Sequence, residues 1–129
     1  KEVKGNLMVA IIPTLAPYLL PLFLHSFIKK YPEVNLKIIE LTTERIIEHL
    51  KKNQIEAGLL VTPIESSSFI VDPLFHEEFV IYSSKATSLF LHDEVLINEI
   101  DLNDLWLLEE GHCFRSQIIN LCDRQKKLK

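Results

Sequence analysis

The first half of the chain alternates between short apolar runs and longer segments in which apolar residues recur at helical spacing. The run from Leu7 to Ile12 ends at Pro13 and predicts a buried strand. The next segment carries an apolar stripe that predicts an amphipathic helix ending at Pro32. The stripe consists of Leu20, Phe23, Leu24, Phe27, Ile28 and Tyr31. The alternating pattern from Val34 to Leu41 predicts a second strand.

A second helix and a third strand follow before residue 62. Thr43 is a candidate N-cap, and Ile46, Ile47 and Leu50 are spaced to face inward from the helix behind it. The apolar run from Ala57 to Val61 predicts another short buried strand. Strand, helix, strand, helix, strand is typical of an α/β fold, in which helices cover a parallel sheet.

The second half of the chain has a weaker pattern. A polar linker, Ser66 to Ser68, precedes a segment from Phe69 to Ser84 that is largely extended. Ile100 to Leu105 predicts a helical turn, Trp106 to Leu108 a short strand, and the segment from His112 onward a helix. We expect residues 1–77 to form a first lobe, and residues 78–129 to form a crossover and the start of a second, incomplete lobe.

Composition and charge narrow the function classes. The chain has 129 residues, with 18 acidic and 14 basic side chains and a formal charge of −4, which disfavours nucleic-acid binding by this stretch. The basic cluster is terminal: Arg124, Lys126, Lys127 and Lys129. Three prolines interrupt the apolar N-terminal region, which argues against a signal peptide, and no apolar run approaches the ~20 residues of a membrane span. With two cysteines, we expect a soluble cytoplasmic protein, excised from a longer chain because it starts without Met.

The two cysteines, Cys113 and Cys122, lie nine residues apart in the predicted last helix. Nine helical steps advance about 13.5 Å and turn about 900°, half a turn beyond two full ones. A disulfide needs Cα atoms within roughly 7 Å, so the helix and the bridge exclude each other. The spacing does not fit a zinc motif, and free cysteines are often simply small buried apolar residues. The spacing alone leaves a redox pair and two passive cysteines open.

A helical wheel separates the two cysteines. One side carries Phe114, Ile118, Leu121 and Cys122, and the other carries Cys113, Ser116, Gln117 and Asn120. Cys122 is therefore predicted to pack in a core, and Cys113 to face a polar cleft at the start of the helix. A helix N-terminus and neighbouring cations stabilise a thiolate, and His112 and Arg115 are adjacent in sequence. On a strict wheel, however, Arg115 points toward the Cys122 side unless the first turn is irregular.

Two stretches carry a resemblance to a known family. IIPTLAPYLLP, from Ile11 to Pro21, resembles the opening of the effector-binding domain of LysR-type transcriptional regulators. LEEGHCFRSQ, followed by Cys122, is similar to the redox segment of the OxyR-type hydrogen-peroxide sensors within that family. The PLF segment from Pro73 to Phe75 also fits. The resemblance implies a two-lobed regulatory domain of the type II periplasmic-binding-protein fold, with the second lobe incomplete and the DNA-binding domain absent from this chain.

The same resemblance implies roles for particular residues. Cys113 would be the peroxidatic cysteine and Cys122 the resolving one. The residues that bind or activate peroxide would be Thr14, Thr43, His112 and Arg115. Thr14 also follows a predicted buried strand and precedes a helix, where hydroxyls line clefts. No cofactor or metal is implied. The implied partners are hydrogen peroxide, further copies in a homodimer or tetramer, and, through the full-length activator, DNA and RNA polymerase.

Two residues depart from the pattern, and other functions stay open. Ser116 stands where the family commonly has an aspartate, and Ala16 stands where it has a glycine. We expect these differences to change the rate at which peroxide is sensed and not to abolish sensing. The main alternative is a LysR-type domain that binds a small organic effector and has passive cysteines. One lobe of a periplasmic solute-binding protein and a thiol peroxidase are further alternatives. We find no motif for a reductant site and do not expect an enzyme.

Overall fold

The chain forms two compact units. A computed structural model describes residues 3–64, 68–101 and 103–126, and side chains as far as residue 122. The first unit comprises Lys1–Thr62 with Leu108–Gln117, and the second comprises Pro63–Leu107 with Ile118–Lys129. Ser66 and Ser67 of the predicted linker lie outside the described residues, as do Leu102 and the side chains of the basic cluster. The lobe boundary between residues 77 and 78 stays a prediction.

The first unit contains a parallel sheet of three strands. These are β1 (Gly5–Ile11), β2 (Val34–Glu40) and β3 (Ala57–Leu59), in the order β2-β1-β3. β1 pairs in parallel with both neighbours and is the central strand. A central parallel strand is covered on both faces, which is why its sequence is a nearly continuous apolar run. The predicted strands and their parallel arrangement are confirmed.

Helix α1 (Ala16–Lys30) follows β1. Pro17 lies in its first turn, where a missing backbone N–H costs nothing, whereas Pro21 lies inside the helix and removes one intrahelical bond. The predicted apolar stripe is wrong at Ile28, which is 54% exposed. Leu20 packs against the core as predicted, and so does Leu19, which the stripe omitted, so the buried face is rotated toward Leu19.

Helix α2 (Thr43–Lys51) begins one residue earlier than the predicted cap requires. Thr42, not Thr43, is at the N-cap position, and its side chain makes no capping bond. Ile46 is fully buried, as predicted. On the exposed surface, Lys52 Nζ donates to Glu48 Oε1 at 2.6 Å, and this bond lowers the pKa of the Glu48 carboxyl.

The core of the first unit lies between the sheet and its helices. Its buried residues are Ala10, Ile11, Ile12, Leu15, Ala16, Ile46 and Ile55. Cys113, the first residue of helix α3 (Cys113–Lys126), packs against this cluster. The start of α3 is thus part of the first unit although it is more than fifty residues from the sheet in sequence.

Gly58 allows α2 to approach β3 closely. A Cβ atom at this position would collide with the Cγ2 atom of Ile46, in the centre of the core. We expect Gly58→Val to reduce the free energy of unfolding by about 1–3 kcal/mol, as overpacking typically does. Ala57→Val is the matched control, because Ala57 is the exposed neighbour on the same strand. Chemical denaturation of both variants measures the difference, and equal stabilities would contradict this packing.

Apart from the part of α3 that begins at Ile118, the second unit contains little regular structure among its described residues. It has two short 3₁₀ helices, Ser88–Leu91 and Ile97–Glu99. Residues 70–84, which were predicted to be largely extended, form neither helix nor strand. The strand predicted at Trp106 to Leu108 is wrong: this segment is not in a sheet and Trp106 is 98% exposed. A strand requires a hydrogen-bonded neighbour, and no described segment pairs with this one.

Within residues 3–64, 68–101 and 103–126, no helix is both long and apolar enough to cross a bilayer.

Candidate functional site

The carboxyl ends of the three strands bring threonine-bearing loops to one edge of the sheet. Thr14 lies in the turn between β1 and α1, Thr42 and Thr43 follow β2, and Thr62 follows β3. Because parallel strands end on the same side, these loops share one edge of the first unit, where ligands of open α/β sheets bind. This edge is the candidate site.

The loop before α3 meets this edge. Gly111 has φ = +90°, a left-handed conformation that side chains other than glycine adopt at a cost. A Cβ atom at Gly111 would lie 3.8 Å from Thr42 Cγ2, so the loop runs beside the N-cap of α2. Cys113 follows two residues later, half-buried and free. Its setting is partly apolar, since it packs against the core; the helical wheel had predicted that it faces a polar cleft.

Two side chains near the start of α3 donate hydrogen bonds to backbone carbonyls. Arg115 Nη1 donates to Leu108 O at 3.0 Å, so the guanidinium folds back over the preceding loop. Gln117 Nε2 donates to Thr62 O at 2.8 Å, in the loop after β3. The Arg115 amide also donates to His112 O at 3.1 Å, three residues back, which is the irregular first turn that the wheel allowed for. His112 is half-buried immediately before the helix.

The two predicted pocket threonines differ in setting. Thr43 Oγ1 is buried and has no hydrogen-bond partner among the described residues, so a hydroxyl capable of donating and accepting is held in the first turn of α2. Thr14 is exposed in its turn. Leu15, not Thr14, is at the N-cap position of α1, so Thr14 does not serve as the helix cap.

Cys122 lies farther along the same helix and belongs to the second unit. It is 6% exposed, and the prediction that it is buried is confirmed. Phe114 and Leu121, which the wheel placed on the same side, are 39% and 36% exposed. Ile118 and Ile119 are more buried, so the buried stripe is rotated toward Ile119. Both cysteines are free and the helix between them is continuous, consistent with a helix that excludes the bridge.

The site therefore gathers Cys113, Gly111, Thr42, Thr62 and Gln117 around one edge of the sheet. Sequence reasoning emphasised Cys113 but gave no role to Thr42 or Thr62. The two adjacent threonines after β2 could have pointed to Thr42. Thr62 could not have been found in this way, because it takes part through its backbone carbonyl, which every residue has. Among the described residues, no group of three His, Cys, Asp or Glu side chains is placed to hold a metal ion.

A family profile described as the LysR substrate binding domain matches residues 1–127. The chain belongs to this family of regulatory domains. Within it, the chain is 27% identical to the hydrogen peroxide-inducible genes activator of Haemophilus influenzae, over 95% of this chain. It is 31% identical to the HTH-type transcriptional regulator EstR of Acinetobacter baylyi, also over 95% of this chain. The chain spans 40% of the length of each of these relatives.

Solved structures of OxyR proteins have the same fold. Reduced OxyR from Porphyromonas gingivalis matches with a TM-score of 0.84 and 34% identity, over 92% of this chain and 57% of that one. A cysteine-to-serine mutant of Corynebacterium glutamicum OxyR with bound hydrogen peroxide matches with a TM-score of 0.85 and 30% identity, over 97% and 39%. An oxidised form of OxyR matches with a TM-score of 0.54 and 31% identity, over 58% and 35%. The expected type of fold, a periplasmic-binding-protein-like LysR domain, is confirmed.

Gly111 provides a test of the loop that leads into Cys113. We expect Gly111→Ala to lower the free energy of unfolding by about 1–2 kcal/mol, because alanine is strained in the left-handed region. The space beside Thr42 is sufficient for a methyl group, so the strain is in the backbone alone. Gly111→Asn is the matched control, since asparagine tolerates this conformation better. Thermal unfolding of the two variants gives the comparison, and an alanine variant at least as stable as the asparagine variant would contradict the assigned conformation.

Proposed function

We propose that this chain is the peroxide-sensing part of an OxyR-like transcription activator, in which Cys113 reacts with hydrogen peroxide and Cys122 resolves the product. The observation that carries the proposal is the placement of two free cysteines on one helix, one at the sheet edge and one buried in the second unit. The similarity to hydrogen peroxide-inducible activators supports the choice of oxidant.

The proposed chemistry needs one peroxide and both thiols. The Cys113 thiolate attacks one peroxide oxygen, the O–O bond breaks, and the leaving hydroxide takes up a proton to become water. Cys113 is then a sulfenic acid. The Cys122 thiolate attacks its sulfur, the S–O bond breaks, and the second oxygen leaves as water. One peroxide is reduced and two thiols are oxidised to a disulfide.

The residues at the sheet edge would assist the first step. In the proposed site, Thr14 and Thr43 hydrogen-bond the peroxide, and His112 and Arg115 stabilise the thiolate or the leaving oxygen. The unpartnered hydroxyl of Thr43 supports this role, because a buried hydroxyl is stabilised by a ligand that completes its hydrogen bonding. The partly apolar contact of Cys113 limits the water around the reacting sulfur, which strengthens such hydrogen bonds.

The second step would produce the signal. About 13.5 Å of helix separates the two cysteines along the axis, so the bridge requires α3 to unwind between them. Cys122 would also leave its buried position. The match to an oxidised OxyR over 58% of this chain, against 92% for a reduced one, supports a large rearrangement on oxidation. The unwinding of α3 would be transmitted to the rest of the protein by a switch between two alternative packing arrangements.

The partners of the full-length protein follow from the same proposal. It would act in the cytoplasm as a homodimer or tetramer that binds DNA and engages RNA polymerase through parts outside this chain. No enzymatic turnover is proposed, since the disulfide is the signal and each chain would consume one peroxide.

A peroxide titration of the full-length protein tests the proposed function. We expect one equivalent of hydrogen peroxide per chain to remove both thiols, with no further peroxide consumed. Retention of both thiols would favour the alternative, a domain that binds a small organic effector. The similarity to the regulator EstR is consistent with that alternative. Continued consumption without added reductant would also contradict the proposal. Denatured protein, in which both cysteines are equally accessible, is the control for intrinsic thiol reactivity.

A further inference from the structure

The hydrogen bond from Gln117 to Thr62 joins two elements that are distant in sequence. Gln117 lies in the second turn of α3, and Thr62 follows β3, 55 residues earlier. The bond is 2.8 Å long and solvent-exposed; Gln117 is half-buried and Thr62 is exposed. The bond links the second turn of α3 directly to the loop after β3, and without it each group would bond to water and this link would be lost.

Gln117 also shares a helix face with Cys113. The two are four residues apart, and residues at this spacing lie on the same side of a helix. Cys113 packs against the core of the first unit, and Gln117 donates to the Thr62 carbonyl in the loop after the third strand. One face of the first turns of α3 is therefore attached to the first unit at two points.

The attachment ends at Gln117. The first unit includes the chain from Leu108 to Gln117, and the second includes the chain from Ile118 onward. Cys122 thus lies beyond the last attached residue, while Cys113 lies before it. The turns from Ile118 onward are not held by the first unit, so they can unwind while the Cys113 end stays in place.

We infer that Gln117 is a positioning residue that holds the Cys113 end of α3 on the first unit. It acts through the Thr62 carbonyl and not by contact with the reacting atoms. This inference rests on the proposed function and adds to it the means by which the reacting sulfur is kept in place. Small misplacements of a reacting group reduce rates by up to about 10²-fold, so the loss of one of two attachments has a measurable kinetic effect.

The test compares a donor with a non-donor of similar length at position 117. The full-length protein carries Cys122→Ser, so that sulfenic-acid formation at Cys113 is the only step followed. We expect Gln117→Met to slow this step about tenfold. Gln54→Met, in the exposed turn after α2, is the matched control and is expected to react at the parent rate.

Hydrogen exchange gives a second reading that does not depend on peroxide. In the reduced protein we expect Gln117→Met, but not Gln54→Met, to speed exchange at the hydrogen-bonded helix amides from Arg115 to Ile119. Unchanged exchange and oxidation in Gln117→Met would overturn the inference while leaving the proposed function intact. If the parent Cys113 does not react with peroxide at all, the proposed function fails, and the exchange experiment still decides whether Gln117 anchors the helix.

Discussion

Replacing Cys113 by serine in the full-length protein is expected to abolish its reaction with hydrogen peroxide. Cys113 is half-buried at the sheet edge, whereas Cys122 is 6% exposed, so the remaining thiol has little access to the oxidant. A serine hydroxyl keeps the size of the side chain but is not a nucleophile toward peroxide under these conditions. The measurement is mass spectrometry before and after one equivalent of peroxide. We expect the mass of the variant to be the same before and after the treatment.

The matched variant is Cys122→Ser, which should give a different result. Cys113 is still expected to react, and the product should gain one oxygen and stop at the sulfenic acid, because the resolving thiol is absent. A dimedone adduct on the Cys113 peptide would identify it. If Cys122 is oxidised first in the parent protein, or if Cys113→Ser still forms a sulfenic acid at the parent rate, the two assignments are reversed.

Replacing Thr14 by valine should slow the oxidation of Cys113 about tenfold. The proposed role of the Thr14 hydroxyl is to donate a hydrogen bond to the leaving oxygen of peroxide. Single donors of this kind contribute roughly 10²–10³-fold in well-studied oxyanion sites. The expected effect is smaller here, because Arg115 and backbone N–H groups can share the developing charge. Stopped-flow oxidation in a Cys122→Ser background provides the rate.

The stability of the Thr14 variant separates the site role from a structural one. Thr14 is exposed and Leu15 is at the N-cap position of α1, so no capping bond is lost and the free energy of unfolding should change little. Thr14→Ser, which keeps the hydroxyl, should react at close to the parent rate. A valine variant that is folded and reacts as fast as the parent would remove Thr14 from the peroxide site.

Much of the first unit could be predicted from local pattern. β1, β2 and both following helices appear where apolar spacing indicated them, because their burial is periodic along the chain. The errors lie at positions decided by neighbours. The exposure of Ile28 and Phe114 depends on how a helix is rotated against its partner, which an apolar count does not specify. The choice of Thr42 over Thr43 at the N-cap depends on where the backbone leaves β2.

The reactive groups of the site could be predicted from the sequence, whereas the hydrogen bonds that hold them to the sheet could not. The cysteine pair and its spacing are visible in the sequence, and the exclusion of helix and bridge follows from helical geometry alone. The bond from Gln117 to Thr62 crosses 55 residues, and it exists because the fold places the end of β3 beside α3. The strand predicted at Trp106 to Leu108 failed for a related reason, since strand formation requires a partner that local pattern cannot supply.

The central claim is that α3 is intact in the reduced protein and unwound when Cys113 and Cys122 are bridged. Hydrogen exchange of the full-length protein, before and after one equivalent of peroxide, tests it on the peptide that spans the two cysteines. We expect protected amides in the reduced state, and loss of protection together with formation of the Cys113–Cys122 bridge in the oxidised state. Cys122→Ser treated in the same way should keep its protection. A bridged peptide whose helical amides stay as protected as in the reduced protein would contradict the account.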